Sequence, residues 1–163
     1  MGAEETYEED IFGTEIVRRE LLSLSVKVSR RLREKGLLGR TLTLKLRDPK
    51  FKTITRSKSI ESPMDDYLPI YNLALDLLQN REGPFRLMGV TLSKLCDKND
   101  APPKARGLFE ELENQNNHKS AGNPSLSRAM DLINAKFGKD SLRPATLLAK
   151  PKRVNLKDGE KDV

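Results

Sequence analysis

The sequence predicts an α+β fold: a β-α-β-β-α-β two-layer domain, with a four-stranded, mostly antiparallel sheet and two helices on one face. Three observations carry this. In Leu37–Ile60 (LLGRTLTLKLRDPKFKTITRSKSI), Leu42, Leu44 and Leu46 alternate with Thr41, Thr43, Lys45 and Arg47, the period of a half-buried strand entering a hairpin. Residues 14–35 carry Val17, Leu21, Leu24, Val28 and Leu32 at helical steps, which makes a single apolar stripe. A second amphipathic helix then leads into another alternating run, FRLMGVTLSKL, at 85–95. Two helices that each bury one stripe do so against one face of the sheet.

The first strand is placed at residues 2–8 (GAEETYE), favoured by Thr6 and Tyr7 and opposed by the surrounding glutamates. In the 14–35 helix, Thr14 is the expected N-cap, Glu15 suits the positive end of the dipole, and Gly36 follows as the C′ residue. Asp48 and Pro49 supply the hairpin turn, and the second hairpin strand is read from Phe51. Its facing stays open: Ile54 and Ile60 share a parity with Arg56 and Lys58, while Phe51 shares the other with Thr53, Thr55 and Ser57. The next helix is expected to start at Ser62-Pro63, with Asp65 and Asp66 in its first turn. Its buried side is read as Tyr67, Ile70, Tyr71, Ala74, Leu77 and Leu78, and Arg81–Pro84 breaks it. In the last strand Met88, Val90 and Leu92 alternate with Leu87, Gly89 and Thr91.

The domain therefore covers residues 2–95. A polar linker follows at 96–124, then a segment at 125–148, and then a basic, disordered tail at 149–163. In the 125–148 segment a short helix over Ser125–Phe137 sets Leu126, Met130, Ile133 and Phe137 on one side, ends at Gly138, and gives way to extended chain.

Charge is unevenly spread. Six of the 24 acids (Glu4, Glu5, Glu8, Glu9, Asp10 and Glu15) fall in the first fifteen residues, which hold none of the 30 Lys and Arg, so the rest of the chain has a net charge of +12. Such an excess favours a phosphate-rich partner or an anionic surface. From Arg40 to Lys58 there are seven Lys or Arg and one acid, Asp48, beside many hydroxyls. A sheet covered on one side and basic on the other suits a polyanion, and it also suits a solvated face whose lysines protect an edge. The acidic cluster itself reads as solvated charge. One cysteine, Cys96, excludes an internal disulfide and fits a reducing cytoplasm. One histidine, His118, leaves no parts for a Cys/His zinc site or a Ser–His–Asp triad. Neither a spanning apolar run nor a signal-peptide charge pattern is present, so no membrane partner is expected.

GAEETY, GLLGRTLTLKLRDPKFKTITRSKSI and PFRLMGVTLSKL, in this order and spacing, resemble the little finger (polymerase-associated domain) of Y-family DNA polymerases, the DinB/UmuC or DNA polymerase IV type. Residues 127–148, SRAMDLINAKFGKDSLRPATLL, resemble the C-terminal segment of many bacterial members. The resemblance implies non-sequence-specific binding of duplex primer–template DNA in damage bypass and the SOS response, by a monomer in the bacterial cytoplasm. It implies no catalysis here, since nucleotidyl transfer uses palm carboxylates with magnesium and deoxynucleotides, and the chain starts at the first little-finger strand. No catalytic residue, metal or cofactor is expected.

Thr55, Arg56 and Ser57 match the family's second hairpin strand, and Arg86 matches the arginine before the Gly-Val of the last strand; both are backbone-contact positions in relatives. Thr41, Thr43, Lys45 and Arg47 join them because they face away from the leucines, with Lys58 as an addition. Ala105–Phe109 (ARGLF) is similar to a degenerate sliding-clamp peptide, with Leu108 and Phe109 as its anchors. Two alternatives stand beside this: a protein-interaction module that docks to a clamp or polymerase core, and an RNA-binding α+β module, which the lack of paired aromatics on the strands disfavours.

Overall fold

The leucine-bearing strand and its partner form the hairpin. A computed structural model describes residues 1–99, 124–138 and 141–147. In it β2 (Leu37–Arg47) pairs antiparallel with β3 (Thr53–Met64), in register from Thr41 opposite Ser59 to Arg47 opposite Thr53. Asp48 makes the turn. Its carboxylate accepts from the Lys52 amide at 2.9 Å, its carbonyl from the Phe51 amide at 3.0 Å, and its own amide donates to the Lys52 carbonyl at 3.1 Å. Phe51 belongs to this turn, at φ 62°, so the strand begins two residues later than its aromatic suggested.

The sheet order is β1-β4-β2-β3, all antiparallel, with β1 at Gly2–Ile11 and β4 at Phe85–Asp97. Leu42, Leu44 and Leu46 lie opposite Leu92, Val90 and Met88, and all six are buried. Helices α1 (Thr14–Glu34) and α2 (Tyr67–Leu78) cover this side. Val17, Leu21, Leu24, Val28 and Leu32 of α1 are buried as their spacing requires, and α2 adds Ile70, Leu73, Ala74 and Leu78. Burying each such side chain favours folding by about 1.5–3 kcal/mol, so this single core holds the two layers together.

Two helix starts differ from expectation. Thr14 is the first helical residue and not the cap; Gly13, at φ 98°, precedes it, and the Thr14 hydroxyl donates to the Glu82 carboxylate. The second helix does not start at Ser62-Pro63. β3 runs on through Pro63 to Met64, which pairs with Gly39, and Asp66 caps α2 by accepting from the Tyr67 amide at 2.8 Å. Pro63 is tolerated because β3 is an edge strand, where a missing N–H costs little. At the other end of α1, Gly36 takes φ 64° and donates to the Arg33 carbonyl, as a C′ glycine does.

Helix α3 (Pro124–Phe137) stops at Gly138. The C-terminal part of its apolar side is exposed: Ile133 is 39% exposed and Phe137 68%, while Met130 is half-buried. Polar contacts hold it instead. Arg33 of α1 grips Asp131, and the Ser127 hydroxyl donates to the Asp66 carboxylate at 2.5 Å. Farther along, the Arg19 guanidinium donates to the Leu147 carbonyl at 3.0 Å, in a 3₁₀ turn at Ala145–Leu147. Among the described residues no helix is long and apolar enough to cross a membrane.

Candidate nucleic-acid interface

The side of the sheet away from the helices is a ladder of hydroxyls. Thr41 stands between Ser59 of β3 and Ser93 of β4, and Thr43 between Ser57 and Thr91. Lys45 stands between Thr55 and Gly89, and Arg47 between Thr53 and Leu87. Period-two alternation repeats these rows about every 6.8 Å along the strands. Thr41 and Ser59 share a hydrogen bond of 2.9 Å, and Thr43 and Ser57 one of 2.8 Å. A hydroxyl has one hydrogen and two lone pairs. Each pair therefore uses one hydrogen internally and keeps the other for an incoming acceptor.

Two cations stand on these rows. Arg47 donates from Nε to the Thr53 hydroxyl at 2.9 Å, which leaves its terminal N–H groups without a partner among the described residues. Lys45 is held by Glu4 of β1 at 2.9 Å. Lys50 and Lys52 are exposed in the turn at the end of this face. The acids of β1 are thus not all solvated charge: Glu4 pairs with Lys45, and Glu5 with Lys27 of α1 at 2.9 Å.

The structure separates the nine residues expected to contact DNA. Thr41, Thr43, Lys45, Arg47, Thr55 and Ser57 share the open face. Arg56 and Lys58 do not. They lie opposite Leu44 and Leu42, on the helix side, with no bulge within residues 53–59 to turn them. The register irregularity falls beyond Ser59, before Met64. Arg56 donates to the Leu77 carbonyl at 2.9 Å, one of the free carbonyls at the end of α2, and Lys58 approaches Asp76 at 3.6 Å. Arg86 sits by the hairpin turn, its guanidinium 5.3 Å from the centre of the Phe51 ring, an attractive cation–π arrangement. Ser59, Thr53, Thr91 and Ser93 also belong to the face; for Thr91 and Ser93 the signal in the sequence is their alternation with the buried Val90 and Leu92, whereas Thr53 and Ser59 have no buried neighbours in β3 to mark them.

Clefts of about 290 and 670 Å³ flank α3 where it meets α1. Among the described residues no three His, Cys, Asp or Glu side chains group as metal ligands. Leu108 and Phe109 lie outside the described residues, as does His118. Cys96 is a partly buried free thiol whose sulfur donates to the Leu38 carbonyl at 3.9 Å.

Residues 1–114 match the family described as the impB/mucB/samB family C-terminal domain. The chain belongs to that family. Its relatives include a DNA polymerase IV of Desulfatibacillum aliphaticivorans, 34% identical over 160 residues, which covers 96% of this chain and 39% of the relative. Another is a DNA polymerase IV of Streptomyces coelicolor, 39% identical over 99 residues, covering 60% of this chain and 21% of the relative. The chain thus spans well under half the length of these relatives. A solved structure described as a post-insertion binary complex of Dbh DNA polymerase shares the fold, with TM-score 0.50 and 15% identity over 59% of this chain and 28% of that one. The impB/mucB/samB C-terminal domain is therefore the little-finger type that GAEETY, the hairpin and PFRLMGVTLSKL resembled. In this member of the family, the hydroxyl ladder and Arg47 occupy the side that the helices leave uncovered.

Proposed function

We propose that this domain grips duplex DNA on the open face of its sheet, without reading base sequence, as the little-finger part of a translesion DNA polymerase. The observation that carries the reading is the composition of that face: rows of Thr and Ser with spare hydroxyl hydrogens, next to Arg47, Lys50 and Lys52. Hydroxyls, guanidinium groups and main-chain amides are the usual donors to phosphate oxygens, and such contacts fix position without specifying sequence. Nonspecific binding of this kind commonly falls at about 10⁻⁴–10⁻⁶ M at physiological salt. Nucleotidyl transfer, with its metal ions and deoxynucleotides, is assigned to parts of the relatives that this chain does not span.

The rows of the open face carry Thr, Ser, Lys, Arg, Gly and Leu and no aromatic ring, which disfavours base stacking on single-stranded RNA. The deciding experiment compares duplex DNA, single-stranded DNA and RNA of equal length by fluorescence anisotropy. Preference for duplex, equal on unrelated sequences and weakened by Arg47→Ala, supports the proposal. Equal or tighter binding to single strands sinks it. Docking to a sliding clamp through Leu108 and Phe109 is a separate proposal resting on the ARGLF tract. A peptide of residues 102–112 that shows no saturable clamp binding removes it.

A further inference from the structure

We infer that Glu4 is a built-in competitor for the DNA phosphate at Lys45, and that it confines the bound polyanion to the β2–β3 half of the open face. The inference rests on the proposed function above. Glu4, Gly89 and Lys45 form one row across three strands, with Glu4 opposite Gly89 and Gly89 opposite Lys45. Strands lie about 4.8 Å apart, so β1 and β2 are separated by about 9.6 Å. Glu4 bridges that gap by lying over the backbone of residue 89. A Cβ there would meet the Glu4 carboxylate at 3.2 Å and its Cγ at 3.3 Å. Glycine leaves the lane open, and the Glu4 carboxylate reaches the Lys45 ammonium at 2.9 Å.

Both side chains remain partly exposed, 46% for Glu4 and 35% for Lys45. An exposed pair of this kind adds little to stability. Its consequence lies in binding. A phosphate that reaches Lys45 displaces the Glu4 carboxylate. The ammonium then releases no counterion, since its partner was a protein group, and the freed Glu4 carboxylate gathers one or stands against the DNA. Lys45 in the native domain therefore contributes almost nothing to the salt dependence of binding, although it is a cation on the binding face.

The test measures duplex binding by anisotropy between about 50 and 200 mM salt. The proteins are the native chain, Glu4→Gln, Lys45→Gln, the double variant, Glu8→Gln and Arg47→Gln. Glu8→Gln makes the same change in net charge on the same strand. Glu4→Gln should tighten binding about two- to five-fold, the range an exposed ion pair can withhold. It should steepen the log–log salt slope by about 0.9, one released counterion. Lys45→Gln should leave the native slope almost unchanged and should cancel the gain in the Glu4→Gln background. Equal effects of Glu4→Gln and Glu8→Gln, or no effect of Glu4→Gln on a chain that binds duplex, overturn the inference while the DNA-binding face stands. If the native chain does not bind duplex, or Arg47→Gln leaves both affinity and slope unchanged, the proposed face and the inference fail together. Melting curves confirm that each variant is folded.

Discussion

Arg33 and Asp131, 98 residues apart in the chain, meet in a two-pronged ion pair: Nε to Oδ2 at 2.5 Å and Nη2 to Oδ1 at 3.0 Å. The Arg33 side chain is only 12% exposed, and its Nη1 donates to the Ser29 hydroxyl and the Asp65 carbonyl. One guanidinium thus ties α1, the loop before α2, and α3 together.

Because α3 leaves Phe137 and Leu132 exposed, this pair and the Ser127–Asp66 bond carry much of its docking. Charge-assisted hydrogen bonds contribute about 1.5–3 kcal/mol. Asp131→Ala should therefore free α3 and leave the sheet intact. Hydrogen exchange should speed up in residues 124–138 and stay unchanged in 37–47. Uniform acceleration across the whole domain would contradict a local clip.

Arg56→Ala tests the helix-side placement of β3. Arg56 closes the end of α2 through the Leu77 carbonyl, so its loss should cost about 0.3–1 kcal/mol of stability, the ordinary value of a cation at a helix C-terminus. The salt slope of duplex binding should not move. A slope flattened by about one unit would place Arg56 on the phosphates after all.

The helix-side placement of Arg56 and Lys58 separates what the chain reveals in one dimension from what it does not. The stripe Val17–Leu21–Leu24–Val28–Leu32 and the leucines of β2 were legible because each is a run of apolar residues at one period. β3 was not legible, because Arg56 and Lys58 share the side of Ile54 and Ile60. Long cationic side chains can run along apolar surface and place their charge at its rim, so their parity does not announce a solvent face. Pro63 misled for a related reason. Ser-Pro followed by acids signals a helix start, and only the edge position of β3 lets the same residues finish a strand. The Glu4–Lys45 pair depends on β4 lying between β1 and β2, an order that local pattern does not contain.

Gly39→Ala should lower stability by about 1–3 kcal/mol, the usual effect of overpacking. A Cβ at Gly39 would lie 2.6 Å from Leu92 Cδ2 and 2.8 Å from Leu92 Cβ, and Leu92 is fully buried and cannot swing away. Urea denaturation checks this; an unchanged midpoint would mean the β2–β4 contact relaxes freely.

The salt dependence of duplex binding discriminates between two pictures of the open face. If all six cations Lys45, Arg47, Lys50, Lys52, Arg56 and Lys58 engaged phosphates, the log–log slope would be about −5.4, at about −0.9 for each. The structure turns Arg56 and Lys58 toward the helices and occupies Lys45 with Glu4, which leaves Arg47, Lys50 and Lys52. The expected slope is then about −2 to −3. Arg47→Ala should flatten it by about one unit. Arg31→Ala should not, since Arg31 belongs to α1 and bonds the Gly2 carbonyl. The double change Thr43→Val with Ser57→Ala removes one rung of the ladder but no charge. Each lost hydrogen bond is worth about 1 kcal/mol, so affinity should fall several-fold while the slope holds. Cations would thus set the slope and hydroxyls the intercept. A Thr43/Ser57 variant that binds as the native domain does would mean the rungs are sheet packing and not phosphate donors.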